Sequence, residues 1–324
     1  MKEYSIADIP GIKVGHAQDE EAGTGVTVIL CEEGITAGVD VRGGGPGTRE
    51  TDCLNPVNFI EEIHAVVLSG GSAYGLDSAS GVMQYLEERG KGLPVGVGIV
   101  PIVPGAVLFD LPVGRPDIRP DKAMGYQACL NAREDNRPQG NVGAGTGASV
   151  GKTRGPGCVM KGGLGVAGRR IGDLIIGAIV AVNCFGDVID PETGKIIAGA
   201  LEEDGRTFAD SMKVLSGLTT VNPLAGTNTT LGVVASNARL TKPQATKVAQ
   251  MSHDGFARTI NPIHTMYDGD TIFCLATGEV DADITTLGAI SAEIVAEAII
   301  NGVKAAVSAY GIPGYEEIRL RQGV

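Results

Sequence analysis

The chain has 324 residues, 43% of them hydrophobic and 20% charged with the charges interspersed. That is enough apolar material for one large domain or two intimate ones, and it excludes a disordered chain. The formal net charge of -12 repels phosphate backbones, so nucleic acid is excluded as a partner.

Taken in chain order, the first residues (MKEYSIADIPGIKVG) mix charge with proline and lack the apolar stretch of a secretion signal, which places the protein in the cytoplasm. Residues 26–31 (VTVILC) and 64–68 (HAVVL) read as buried strands. The second runs into Ser69-Gly70-Gly71-Ser72-Ala73-Tyr74-Gly75, which opens a helix continuing through Leu76, Val82, Met83 and Leu86. Residues 94–108 suit short strands joined by tight turns, and 120–132 a short helix. Residues 159–166 and 171–184 read as two strands, with Gly172-Asp173 as the turn between them. A polar stretch, 202–217, has loose helical character, and residues 229–236 (TTLGVVAS) form a strand. An amphipathic helix follows over 242–258, with Ala245, Val248, Met251 and Phe256 on one side, then a strand at 271–277 and a long buried helix over 284–310. Apolar runs such as 174–182 are too short to cross a bilayer, so no membrane association is expected. Forty-nine glycines, spread between these runs, allow close backbone approach. Strands partly adjacent and partly separated by helices predict layered α/β with a mixed or antiparallel sheet in a single domain, 1–324.

Several familiar chemistries fail on spacing. Cys31, Cys53, Cys129, Cys158, Cys184 and Cys274 contain no C-x-x-C pair, and His16, His64, His253 and His264 have no H-x-x-x-H spacing, so neither a disulfide framework nor a metal site is indicated. Residues 143–153 (GAGTGASVGKT) end like a phosphate-binding loop, but Thr146 stands where its first glycine belongs. A G-x-S-x-G elbow is begun at Gly70-Gly71-Ser72 and broken by Tyr74.

One base is always available to an internal threonine that becomes a chain start: its own α-amine, which titrates at about 7.7–8.0. Thr227-Asn228-Thr229-Thr230, at the mouth of a strand and after a polar stretch (202–224) able to act as a leader, offers such a threonine without deciding among Thr227, Thr229 and Thr230. Asp268-Gly269-Asp270 is an ordinary Asp-Gly turn, or a carboxylate pair that holds an ammonium. Lys152, in a glycine-rich loop, reads as a solvated surface lysine. Asn183 is a strand-end amide or an oxyanion donor.

These segments together resemble the self-processing hydrolases of the L-aminopeptidase/D-esterase and nylon oligomer endohydrolase type. The matches run in order through residues 35–47 (ITAGVDVRGGGPG), 68–76 (LSGGSAYGL), 107–110 (VLFD) and 121–123 (DKA). They continue through 143–152, Asn228-Thr229-Thr230 and 262–271 (PIHTMYDGDT). The resemblance implies autocleavage between Asn228 and Thr229 into a large chain, 1–228, and a small chain, 229–324, with Thr229 as nucleophile. It implies that Asp268 and Asp270 support the nucleophile and its amine, and that Lys152 and Asn183 lie near the reacting carbonyl. Phe109 stands where the nylon hydrolase has a tyrosine. The implied fold is a four-layer α-β-β-α sandwich resembling N-terminal-nucleophile hydrolases. Small amide or peptide substrates, no metal or organic cofactor, and a homo-oligomer of processed heterodimers are implied with it. An Asn-Thr junction, where the aminopeptidases carry serine, favours an endo-acting or ω-amino-acid amidase over a strict aminopeptidase or D-esterase. An acetyl-transferring enzyme of the ornithine acetyltransferase type is a rival, but its Ala-Thr-Met-Leu junction is absent.

Overall fold

The computed structural model describes residues 4–217 and 228–323. Nine strands carry the fold: Lys13–Asp19 (β1), Thr24–Val41 (β2), Gly47–Arg49 (β3), Ile63–Ser69 (β4), Gly105–Val107 (β5), Gly163–Ile171 (β6), Leu174–Asn183 (β7), Thr229–Ala238 (β8) and Thr271–Val280 (β9). They hydrogen-bond in the order β6-β7-β8-β9-β2-β4-β5-β3, with β1 also on β2. The pairs are antiparallel except β8–β9 and β4–β5.

The 18-residue β2 belongs to two sheets. Its first half pairs with β1 and β4, its second half with β9, and the register shifts between Leu30 and Ile35. An extra length of strand without a partner bends the chain, so one sheet folds over the other. Alternation then separates three cores. Val26, Val28 and Leu30 face outward, against Val82 and Leu86 of α1 (Ser78–Glu87) and Ala128 of α2 (Lys122–Leu130). Ile29 and Cys31 face inward and meet Ile179 and Ala181 of the second sheet. Ala178, Val180 and Val182 point the other way, under α4 (Lys242–Thr259) and α5 (Ile284–Ala305). The result is the four-layer α-β-β-α sandwich. Glycine lets the layers close: a Cβ on Gly165 of β6 would lie 1.9 Å from the Ala298 carbonyl of α5.

Three sequence expectations change. The last long helix ends at Ala305 and not at residue 310, because Ala306 turns extended and Tyr310, at φ 57°, closes a tight turn between Ala309 and Ile312. That helix is also long and apolar enough to cross a membrane, which the shorter apolar runs did not suggest. Here its Leu287, Ile294, Val295 and Ile299 are spent on the core. The strand expected at 159–166 begins only at Gly163, since Met160–Lys161 pair instead with Ser149–Val150. The polar stretch 202–217 contains one short helix, α3 (Ser211–Ser216), and the remainder of the expected leader, 218–224, lies outside the described residues.

Candidate active site

Three neighbouring strand ends make the site. Antiparallel register sets Asn183, the last residue of β7, opposite Thr229, the first of β8. On the other side β9 runs parallel to β8, which puts Asp268 beside Asn228 just before the ladder starts. Thr229, Asn228, Asn183, Asp268 and Asp270 are all buried.

The Asn228 carbonyl accepts the Gly269 N–H at 3.0 Å and also the Thr229 hydroxyl. Gly269 has to be glycine, because a Cβ there would sit 2.6 Å from the Thr229 Oγ1. The two carboxylates grip the backbone around the junction. Asp270 accepts the Thr230 N–H on Oδ1 at 2.8 Å and the His264 N–H on Oδ2 at 3.0 Å, with His264 Nδ1 2.9 Å from the same oxygen. Asp268 accepts the Phe185 N–H at 3.3 Å, the Thr265 N–H at 3.0 Å and the Thr265 hydroxyl. Burial, and then the neighbouring Asp270, push Asp268 above the usual carboxylate range.

The turn that carries them is cradled by Gly43-Gly44-Gly45. The Gly45 N–H donates to the Asp268 carbonyl at 2.8 Å, the Gly44 N–H to the Thr265 carbonyl at 3.1 Å, and the Arg42 N–H to the Asp270 carbonyl at 2.9 Å. A Cβ on Gly43 would lie 2.3 Å from the Asp268 carbonyl oxygen, so the glycine run is a requirement of close approach.

Lys152 is no solvated loop lysine. Its Nζ donates to the Asn183 Oδ1 at 2.8 Å and to the Asn183 carbonyl at 3.3 Å, and burial lowers its pKa to about 8. The Asn183 Oδ1 also accepts the Ser149 N–H at 3.0 Å, and its Nδ2 donates to the Phe109 carbonyl at 3.1 Å. Beside the junction opens a cleft of about 480 Å³, lined by Phe109, Lys152, Phe185, Asn228 and Tyr310 among others.

Asn228, Thr229, Thr230, Lys152, Asn183, Asp268 and Asp270 therefore lie together, whereas Thr227 falls outside the described residues. Sequence reasoning missed the Gly269 N–H, because a backbone donor has no side-chain signature. It also missed His264, whose only signal was membership of the 262–271 segment. Lys161 left no signal either. It is wholly buried, donates to the carbonyls of Thr146 and Ala148 at 2.8 Å each, and burial lowers its pKa to about 7.

The family model of peptidase family S58 matches residues 4–316. The chain belongs to peptidase family S58. It is 42% identical to an uncharacterized aminopeptidase of Mycobacterium leprae, over 96% of this chain and 93% of that one. It is 33% identical to a 6-aminohexanoate-oligomer endohydrolase of Kocuria sp., over 92% of this chain and 85% of that one. Among solved structures it resembles the L-aminopeptidase D-Ala-esterase/amidase of Ochrobactrum anthropi, a variant of the Ntn hydrolase fold. The TM-score is 0.72 at 18% identity, covering 98% of this chain and 94% of the other. Family and relatives make this chain a hydrolase of amide bonds.

Proposed function

We propose that this S58 member cuts itself between Asn228 and Thr229 and then works as an N-terminal-threonine amide hydrolase on small peptides or linear ω-amino-acid amides. The observation that carries the reading is the pair of contacts on one carbonyl: the Asn228 oxygen is held by the Gly269 N–H while the Thr229 hydroxyl lies against it.

In the precursor, the Thr229 Oγ1 attacks the Asn228 carbonyl carbon. The Asn228–Thr229 C–N bond breaks, leaving an ester and a free α-amine, and water splits the ester. In the mature enzyme that amine, alone or through Lys152, takes the hydroxyl proton, and the oxygen attacks a substrate amide. The proton passes to the leaving amine, and water hydrolyses the acyl-enzyme. The Gly269 N–H is the donor aimed at the developing oxyanion. Asn183 is a second donor for that oxyanion: of the two hydrogens on its Nδ2, the Phe109 carbonyl takes one. Its Oδ1 also positions Lys152. Asp268 and Asp270 fix the turn and the strand start on either side of the nucleophile, and assembly into a homo-oligomer of processed heterodimers belongs to the same proposal.

Intact mass of freshly purified protein should show two species, 1–228 and 229–324. Thr229→Ala should leave one uncut chain without amidase activity. A full-length wild-type chain that is active as it stands sinks the reading.

A further inference from the structure

Asn228 is held at the cleft by contacts that do not pass through the scissile bond. It is fully buried, its Nδ2 donates to the Tyr267 carbonyl at 3.4 Å, and its carbonyl takes the Gly269 N–H at 3.0 Å. Its backbone runs parallel to that of Asp268. All of these attachments go to the turn before β9, whereas self-cleavage severs only the link to Thr229.

Upstream, the large chain is fixed a second time beside the same cleft. Ser211, the buried first residue of α3, donates its N–H and its hydroxyl to the Asp187 carboxylate at 2.6 and 2.8 Å. Its hydroxyl also lies 3.0 Å from that of Thr153, the neighbour of Lys152.

Hydrolysis of the junction turns the Asn228 carbonyl into a carboxylate, which keeps the water oxygen, and the Thr229 nitrogen into an ammonium. Asp268 and Asp270 oppose an anion here, but anion and cation appear together, so the local charge is the same before and after. The carboxylate has the new ammonium beside it, the Gly269 N–H as donor and Lys152 lining the same cleft. A substrate amide must present its carbonyl to that donor and to the Thr229 hydroxyl. The two therefore exclude each other.

Resting on the self-processing reading of Thr229, we propose that the acyl position of the processed site binds carboxylates, and that its resident ligand is the α-carboxylate of Asn228. The cut thus makes a competitive inhibitor that stays tethered through Ser211. A short tether gives an effective concentration on the order of millimolar. Each substrate binds by displacing this chain end, and small free acids compete for the same place.

The test takes the chain end away. A site-specific protease sequence is inserted between Gly217 and Leu218, and self-cut protein, verified by intact mass, is treated with that protease and freed of the 218–228 fragment by dialysis. With 6-aminohexanoyl or leucyl p-nitroanilide, KM should fall about threefold or more while kcat holds within about twofold. Synthetic LTTVNPLAGTN added back as the free acid should restore the higher KM, and the same peptide ending in asparaginol should not. On the enzyme without any insertion, N-acetylasparagine should inhibit competitively and N-acetylasparaginol should not. An unchanged KM after excision overturns the tethered inhibitor, and equal effects of acid and alcohol overturn the carboxylate site. Self-cut protein that hydrolyses no amide, with or without residues 218–228, is a different failure. It removes the hydrolase reading of Thr229, and this inference with it.

Discussion

Asp270 tests the architecture of the site apart from its chemistry. Three nitrogen groups converge on its two oxygens: the Thr230 N–H, the His264 N–H and the His264 ring. The carboxyl is wholly buried, so water cannot replace a lost partner. Asp270→Asn keeps the shape but offers one acceptor oxygen, and its NH₂ must face a backbone N–H. Hydrogen bonds to a charged group are worth about 1.5–3 kcal/mol, and a buried donor left unpaired costs about 1–3 kcal/mol. One of each sums to about 2.5–6 kcal/mol, somewhat less if the His264 ring changes tautomer to accept from the amide. At about 2 °C per kcal/mol for a chain of this size, Tm should fall by roughly 5–12 °C. The comparison belongs in the uncut Thr229→Ala background, Thr229→Ala against Thr229→Ala/Asp270→Asn, so that processing does not enter. Calorimetry reads it directly. Melting within about 2 °C of the parent would refute the claim that this carboxylate ties the β8 start to the His264 turn.

Gly43→Ala forces a Cβ to 2.3 Å from the Asp268 carbonyl, so the turn must shift and self-cleavage should slow. Uncut chain should accumulate on a denaturing gel, and normal processing would show that the cradle is dispensable. In the uncut chain burial brings Lys152 to about 8, so a role as neutral proton acceptor in the processed enzyme makes kcat/KM rise with pH near neutrality and then level. Lys152→Met should lower the plateau by about 10²–10⁴-fold, the usual weight of a general base, and an unchanged plateau excludes the relay. Lys161 makes a stability prediction. Its folded pKa of about 7 lies below the ordinary 10.5, so the unfolded chain binds the extra proton between those values and wild-type stability gains as pH rises from 7 toward 10.5. Lys161→Met lacks this gain. Urea unfolding at pH 6.5 and pH 9 should therefore show the variant falling behind the wild type at the higher pH, and parallel behaviour at both would contradict the buried-lysine account.

How far the sequence reaches can be judged residue by residue. The strand at 229–238 and the helix at 242–259 were legible because alternation and 3.6-residue periodicity are local properties. The hairpin turn at Gly172-Asp173 was legible for the same reason, since it joins two strands of one ladder. The threonine junction and the DGD turn could be marked as unusual. Their proximity could not be read from spacing, because it follows from β8 pairing with β7 on one side and β9 on the other.

The sequence by itself determined the local elements, the acidic balance, the family and the handful of side chains able to do acyl chemistry. Tertiary structure decided where each of them sits and how far water reaches it. The bend in β2 stacks the sheets, strand register sets Thr229 opposite Asn183, and burial turns Lys152 and Lys161 from solvated charges into lysines that titrate near neutrality. Periodicity and composition act over a few residues, whereas desolvation and convergence depend on which distant segments exclude water from the same place.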